Sequence, residues 1–419
     1  MGSGKTTAMI DKMRRGYGLR FIFVTPFLTE VERVINNTYD FTQPVDLGNG
    51  KLDSLHNLLL NGKNIATTHS LFLMATEETI HLIHEGKYIL VMDEALEVLC
   101  EYNSVAPKDK KVNSGDVKWL INEGYISTDE KYNVQWCGNA LIDDTFHYAE
   151  IQRLATNGSL KCIDKVLYWE YPPTVFRAFS HIYVLTYLFQ KTMLDAYFSL
   201  YGFKYEMLSV EQSNKRYMLG EYTAAEELRK EFAKLINIYD GKFNRIGDYN
   251  YSFSKRWLTN LDQQRNEQIQ KTVRNYKNHV GAKSAEVMWT TIMDTPLYNR
   301  LQHTKGFRYL QKLTSEEKQL PPAQLKLLEQ FVPCNARATN DYANRRTLIY
   351  LLNRYLNPEH KKYFSARGYT LSDDQFALSE MLQWIWRSAI RNNEPINLFV
   401  PSSRMRGLLC EWLCIPEIP

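Results

Sequence analysis

The first seven residues read Met1-Gly2-Ser3-Gly4-Lys5-Thr6-Thr7. This stretch matches the second half of the pattern G-x-x-x-x-G-K-[ST], in which backbone N–H groups surround phosphates, the lysine reaches the β and γ oxygens and the hydroxyl holds Mg²⁺. We expect nucleotide phosphates to bind at Gly2, Ser3, Gly4, Lys5, Thr6 and Thr7, with Thr6 also on the metal. The first glycine of the pattern and the strand that leads into the loop would lie before Met1. The alternative is a flexible, basic amino terminus.

An apolar run, Tyr88–Met92, leads directly into Asp93 and Glu94. After a phosphate-binding loop, Mg²⁺ nucleotide chemistry needs one carboxylate on the metal and a second that polarises the attacking water. We therefore assign Asp93 to the metal and Glu94 to the water. The alternative is that both residues form the acidic cap and first turn of a following helix, where the helix dipole would favour them.

Short apolar runs alternate with helical patterns through the first quarter of the chain. The residues after the phosphate-binding loop, 8–13, have the composition of a helix. The runs at Arg20–Pro26 and Asn64–Phe72 each lead through proline or small hydroxyl residues into a helical pattern. This β/α order predicts an α/β fold with a parallel sheet and with sites at the carboxyl ends of its strands.

Length and composition set few limits on the partner. The chain has 419 residues, enough for two domains, and its net charge of +4 does not by itself require a nucleic-acid partner. The six cysteines are scattered without a zinc-binding spacing, which predicts reduced thiols and no zinc. No apolar run approaches a membrane span and no signal sequence precedes the phosphate-binding loop, so we expect a cytoplasmic protein.

These motifs resemble those of the superfamily 2 (DEAD/DEAH-like) helicases, in the order in which that family carries them. Gly2–Thr6 resembles motif I, Thr25-Pro26 motif Ia, Thr67–Ser70 a later strand-end motif and Asp93–Leu96 the DEAx box. The resemblance implies ATP and Mg²⁺ as cofactors and two RecA-like domains of the P-loop NTPase type. It also implies that strand-end residues contact the phosphates of DNA or RNA, namely Thr25, Pro26, Thr67, Thr68 and His69. For each of them, simple strand termination is the alternative.

Two further motifs extend the resemblance. Thr186 follows a strand-like run, 181–185, and matches the motif that couples the nucleotide state to the second domain. Asn335–Asp341 resembles motif V, which implies that Arg337 contacts nucleic acid.

A third motif carries arginines. Gln383, Arg387 and Arg391 resemble the family's arginine motif, whose side chains reach the γ-phosphate, and the resemblance therefore gives them catalytic roles. Their spacing of four residues predicts that they share one helix face. The alternative is a surface helix whose arginines extend past buried tryptophans.

We expect an ATP-binding RecA-like domain at residues 1–205, with a helix and hairpin insert at about residues 101–160. Residues 206–286 are predicted to form a helical basic connector, and residues 287–419 a second RecA-like domain. Helices are expected in that domain at Arg345–Tyr355, Ala377–Arg391 and Ser403–Cys414. The connector carries seven cations between Ser254 and Lys283. They either follow a phosphate backbone or form a solvated helix face.

The expected function is that of an ATP-dependent helicase or translocase on DNA or RNA, acting in phage replication or recombination. The phage assignment rests on a likeness of the later motifs to helicase-type proteins of tailed bacteriophages. Two alternatives stay open. One is a helicase-like nucleic-acid-binding protein that no longer hydrolyses ATP, and the other is a P-loop phosphotransferase.

Overall fold

The computed structural model describes residues 4–46, 48–138, 146–213, 216–223, 226–304, 307, 319, 329–335 and 341–418. The chain divides into two compact units. The amino-terminal unit consists of Gly4–Glu221 together with Asn357–Ser372, and the carboxyl-terminal unit contains Tyr222–Leu356 and Asp373–Pro419.

The strands of the described residues are β1 (Phe21–Thr25), β2 (Phe41–Thr42), β3 (Asn64–Thr68), β4 (Ile89–Asp93), β5 (Leu99–Glu101), β6 (Ile126–Thr128), β7 (Val134–Trp136), β8 (Leu160–Ile163), β9 (Val166–Glu170), β10 (His181–Leu185), β11 (Leu208–Ser213), β12 (Arg216–Glu221), β13 (Ile236–Ile238), β14 (Val287–Thr290), β15 (Thr347–Tyr350) and β16 (Ile396–Phe399).

The α-helices of the same residues are α1 (Lys5–Arg15), α2 (Leu28–Asn37), α3 (Lys51–Leu60), α4 (His69–Phe72), α5 (Glu77–Glu85), α6 (Tyr102–Val105), α7 (Ser114–Asn122), α8 (Ala149–Thr156), α9 (Pro173–Arg177), α10 (Met193–Leu200), α11 (Glu226–Leu235), α12 (Lys255–Thr259), α13 (Gln263–His279), α14 (Pro296–Gln302), α15 (Pro358–Ala366), α16 (Asp373–Ile385) and α17 (Ser403–Leu413).

The main sheet of the amino-terminal unit has five parallel strands in the order β10-β4-β1-β3-β2. Every residue of β1 is buried, so both faces of this strand are covered. Phe23 packs in one core with Met9 and Met13 of α1 and with Val31 of α2. Burying such a side chain stabilises the fold by roughly 1.5–3 kcal/mol. A parallel strand covered on both faces gives a continuous apolar run in the sequence, which is why these strands could be predicted.

An insert lies between β4 and β10. It contains a three-stranded antiparallel sheet in the order β5-β9-β8 and the hairpin β6-β7. Helices α7 and α8 contribute Leu120 and Leu154 to its core, where they meet Leu160 of β8. The insert ends with β9 at Glu170, about ten residues later than the sequence indicated, because β9 must return to pair with β5.

Residues 357–372 leave the carboxyl-terminal half of the sequence and belong to the amino-terminal unit. Their helix, α15, is attached through Glu170 at the end of β9. The Glu170 carboxylate accepts hydrogen bonds from the Tyr363 hydroxyl at 2.6 Å and from Arg367 Nη1 at 3.1 Å, and Lys161 Nζ lies 3.4 Å from it. The Tyr201 hydroxyl also donates to this carboxylate. We call these five side chains the Glu170 cluster.

The second parallel sheet has the strand order β13-β16-β15-β14. All four residues of β15, Thr347–Tyr350, are buried at its centre. The prediction of a helix over Arg345–Tyr355 is therefore wrong. The run Thr-Leu-Ile-Tyr combines β-branched and aromatic residues, which pack well between two neighbouring strands.

The stretch 206–286 differs from the expected helical connector. It begins with the antiparallel hairpin β11-β12, which lies in the amino-terminal unit, and it contains β13, which pairs with β16 in the second sheet. Only α11, α12 and α13 fit the expected helical content. Along this stretch the boundary between the two units falls after Glu221.

Candidate functional site

The sequence predicts phosphate binding where the chain enters α1, and we call Gly4 with the first turn of α1 the phosphate-binding turn after that predicted role. Gly4 has φ 75° and ψ 18°, a left-handed conformation that glycine adopts without steric cost, and Lys5 begins the helix. The backbone carbonyl of Gly4 accepts the hydrogen bond of the Ala8 N–H at 2.8 Å, so the turn is continuous with α1. Gly2 and Ser3, which the sequence also assigns to phosphate binding, lie outside the described residues.

Strand β4 brings Asp93 to the first turn of α1. The Thr6 hydroxyl Oγ1 and the Asp93 carboxylate oxygen Oδ1 are 3.3 Å apart. The pKa of Asp93 is raised to about 7, chiefly by burial and also by the nearby carboxylates of Glu94 and Glu30, while the Thr6 hydroxyl and the Lys5 charge act in the opposite direction. A hydroxyl and a carboxylate at this separation fit Mg²⁺, which takes few protein oxygens and completes its octahedron with waters and substrate phosphates.

Lys5 directly follows Gly4 and is near enough to Asp93 and Glu94 for their charges to act on it. Burial lowers the pKa of Lys5, and the charges of Asp93 and Glu94 partly offset that effect. A buried ammonium group beside the amino end of a helix favours an anionic ligand, because both act as positive charges in a region with little water. Thr7 is half-buried in the same turn of α1.

Glu94 has a left-handed backbone, with φ 64°. Its N–H donates to the carbonyl of Leu185 at 3.2 Å, which joins the residue after β4 to the end of β10. No helix follows, since Glu94 leads through residues 95–98 into β5. The alternative in which Asp93 and Glu94 cap a helix is therefore wrong.

The strand-end residues assigned to nucleic acid differ in exposure. Thr25 is completely buried and Thr67 is 4% exposed, so neither hydroxyl faces solvent. Pro26, Thr68 and His69 are half-buried.

Thr68 and His69 also make local hydrogen bonds. Thr68 Oγ1 accepts the Leu71 N–H at 3.5 Å and caps α4. His69 Nε2 lies 3.2 Å from the backbone carbonyl of Asp93, so the imidazole is directed towards the carboxylate strand. Thr186 is half-buried directly after β10, and Arg337 lies outside the described residues.

Gln383, Arg387 and Arg391 do not share a helix face, which corrects the sequence prediction. Helix α16 ends at Ile385, and Arg391 lies in a separate 3₁₀ turn, Ala389–Asn392. The helix ends because the backbone of Ser388 is extended and its hydroxyl donates to the Ile385 carbonyl at 2.7 Å.

The three side chains also differ in burial. Arg387 is only 5% exposed, Gln383 is half-buried and Arg391 is exposed. All three belong to the carboxyl-terminal unit. That the arginines reach a nucleotide on the phosphate-binding turn stays a prediction.

The basic stretch Ser254–Lys283 is largely a solvated surface. Six of its seven cations are exposed, among them Arg265 and Lys271 on α13. Lys277 is the exception, because it is half-buried. Burial lowers its pKa, and its Nζ donates to the Ser284 hydroxyl at 2.9 Å.

The sequence analysis did not identify two side chains that lie near the site, Glu30 and Tyr217. Glu30, in the first turn of α2, is near enough to raise the pKa of Asp93. Tyr217 of β12 packs against the phosphate-binding turn, because a Cβ atom at Gly4 would lie 2.5 Å from its ring carbons Cδ1 and Cε1. A contact between residues more than two hundred positions apart leaves no local pattern.

The two parallel sheets define an α/β protein, and its fold is similar to that of XPD helicases. One XPD helicase structure has a TM-score of 0.50 and 13% identity over 99% of this chain and 94% of that one. A second XPD structure, without ligand, has a TM-score of 0.49 and 16% identity with the same coverage. At these identities the likeness concerns the fold alone.

The family follows from sequence. The chain is 34% identical over 433 aligned positions to the SPbeta prophage-derived uncharacterized protein YonV of Bacillus subtilis (strain 168), covering 99% of this chain and 97% of that protein. Residues 230–413 match the family described as the YonV C-terminal Rossmann-like domain. The chain belongs to the YonV family. In the described part of the chain, every helix is too short or too polar to cross a membrane.

Proposed function

We propose that this protein is an ATP-dependent nucleic-acid translocase or helicase of phage origin. The observation that carries the proposal is the meeting of Lys5, Thr6, Asp93 and Glu94 at the carboxyl edge of a parallel sheet. The helicase-like fold and the prophage-derived relative support the same conclusion.

Each side chain has a distinct part in this proposal. The N–H groups of the turn at Gly4 and the Lys5 ammonium bind the phosphates, and Thr6 with Asp93 holds the metal. Glu94 accepts a proton from the attacking water, for which its position next to the metal ligand is suited. Bound ATP with Mg²⁺ would supply the free energy for movement.

The carboxyl-terminal unit contributes arginines in the same proposal. Arg387, with Arg391 and Gln383, stabilises charge that develops on the γ-phosphate, and Thr186 couples the nucleotide state to the second unit. The nucleic acid contacts the half-exposed strand-end residues Pro26, Thr68 and His69, and motif V with Arg337. The exposed cations of α13 add a surface for the phosphate backbone. The burial of Thr25 and Thr67 argues for a structural part for these two.

The test is ATP hydrolysis measured with and without single-stranded DNA, and separately with RNA. We expect nucleic acid to stimulate turnover in the unmodified protein, and Lys5→Ala and Glu94→Gln to abolish it. Arg14→Ala and Glu97→Gln are matched controls, because the first removes an exposed cation from the same helix and the second an exposed carboxylate three residues away. Both controls should keep the stimulated rate.

Other outcomes would select an alternative. Undiminished turnover in Glu94→Gln would contradict the proposed mechanism. Nucleotide and nucleic-acid binding without hydrolysis in the unmodified protein would favour the helicase-like binding protein. Phosphate transfer to a small molecule, without stimulation by nucleic acid, would favour the phosphotransferase.

A further inference from the structure

An open groove runs along α1 beside the hairpin β11-β12, within the amino-terminal unit. It has a volume of about 380 Å³, and its walls come from one face of α1 and from β12. This volume is within the range of small-molecule sites, roughly 300–1,000 Å³. The Glu170 cluster and the cations of α13 lie outside this groove.

The groove begins at Ala8, about one helical turn after Gly4, and Gly4–Thr7 do not line it. Tyr217 lines the groove and its ring also packs directly on Gly4, the residue before Lys5. Glycine is required at this position for two reasons, its left-handed φ of 75° and the ring that takes the place of a Cβ atom. A ligand with its phosphates at Gly4–Thr6 therefore has the Tyr217 ring beside it and the groove about one helical turn away.

The lining of the groove combines apolar, aromatic and polar side chains, as a nucleoside site requires. Leu19 and Leu219 provide apolar surface, and Tyr217 adds an aromatic ring. Asp11 and Lys12 of α1 bring polar groups to the same groove, and the Lys12 ammonium lies 5.3 Å from the centre of the Tyr183 ring. Base rings present two apolar faces and a polar edge, so they match walls of this kind.

We propose that this groove holds the base and ribose of the nucleotide, and that the Tyr217 ring stacks on the base. The inference rests on the proposed function, because it needs a nucleotide whose phosphates bind at Gly4–Thr6. It adds a binding site for the nucleoside and a residue that contacts it.

The experiment compares two ligands by calorimetry, both as Mg²⁺ complexes: ATP and inorganic tripolyphosphate. Tripolyphosphate reports the phosphate-binding turn alone, whereas ATP reports the turn and the groove together. Tyr217→Ala should weaken ATP binding about tenfold and leave tripolyphosphate binding unchanged, since stacking on an aromatic side chain contributes on this scale. Tyr217→Phe keeps the ring and should bind ATP within about twofold of the unmodified protein.

Tyr17→Ala is the matched control. It removes another tyrosine close to the carboxyl end of α1, 91% exposed and outside the groove, and should change neither affinity. Thermal unfolding of each variant shows that it has folded.

The outcomes separate the two proposals. Unmodified protein that binds neither ligand would overturn the proposed function, and this inference with it. If Tyr217→Ala weakened the binding of ATP and of tripolyphosphate equally, the ring would only support the turn. If it weakened the binding of neither ligand, Tyr217 would not belong to the site. Both results overturn the inference while the proposed function stands.

A second measurement needs no variant. Unmodified protein is photolabelled with 8-azido-ATP and the attachment site is mapped by mass spectrometry. Label on α1 or on residues 216–221 supports the inference. Label confined to other segments, competed by ATP, would overturn it.

Discussion

Glu170→Ala should destabilise the amino-terminal unit strongly. Glu170 is 1% exposed, and the truncation removes the carboxylate that faces two buried cations, Lys161 and Arg367, whose side chains are 5% and 8% exposed. It also removes the acceptor for the Tyr363 hydroxyl, which donates at 2.6 Å. The variant therefore leaves positive charge and a phenolic group without their carboxylate in the interior.

The magnitude follows from the cost of unpaired buried charge. Removing one partner of a buried ion pair costs about 3–5 kcal/mol. Lys161 can limit its share by losing a proton, because burial already lowers its pKa and Arg367 lowers it further. Arg367 keeps its charge at any ordinary pH. We therefore expect a loss of about 3 kcal/mol or more in the free energy of unfolding.

The assay is urea unfolding followed by far-UV circular dichroism, with limited proteolysis of residues 357–372 as a local measure. Because α15 is attached through this cluster, cleavage there should become faster as the unit is destabilised. Glu150→Ala is the control, since its ion pair with Arg153 at 2.6 Å is on the surface and such pairs contribute less than about 1 kcal/mol. Equal and small effects of the two substitutions would refute the reasoning.

Four further outcomes are expected. Thr6→Val should remove most of the Mg²⁺ dependence of ATP binding, measured by titration with and without EDTA, because it deletes the hydroxyl beside Asp93. Glu94→Gly should raise the free energy of unfolding by about 1 kcal/mol while abolishing turnover, since glycine relieves a φ of 64°. Arg391→Ala, at an exposed position, should change stability by less than about 0.5 kcal/mol, so that any lost ATPase rate reports chemistry. Gly247→Ala should lower the melting temperature, because its Cβ would lie 2.1 Å from the Pro401 carbonyl oxygen.

The sequence predicted the parts of the molecule whose signals are local. Strands β1 and β4 are buried on both faces and read as apolar runs. Asp93 is the last residue of β4, and Lys5 is the first residue of α1. The α/β class with parallel sheets is confirmed. Phosphate binding at Gly4–Thr6 stays a prediction, and its pattern is recognisable because it needs only a few consecutive residues.

Long-range pairing explains what the sequence did not predict. Strand β13 enters a sheet by pairing with β16, which lies far along the chain. Helix α15 joins the amino-terminal unit through contacts of the same long range, among them those of the Glu170 cluster and the hydrogen bond of the Tyr168 hydroxyl to Glu359. The four-residue spacing of Gln383, Arg387 and Arg391 also gave a wrong prediction. The helix ends at Ile385, where the carbonyl accepts a hydrogen bond from the Ser388 hydroxyl, so both arginines lie beyond it. A periodic pattern predicts a shared face only while the helix continues.

The strongest physical reason to regard the edge of the first sheet as functional is that burial disfavours the charged forms of its side chains. Burial lowers the pKa of Lys5 and raises that of Asp93, so each loses solvation in its charged form. Glu94 adds a strained left-handed backbone and caps no helix. A purely structural acidic cap would need neither the strain nor the burial. Desolvated charges and a strained backbone at one edge of a sheet are features expected of a site organised for a ligand.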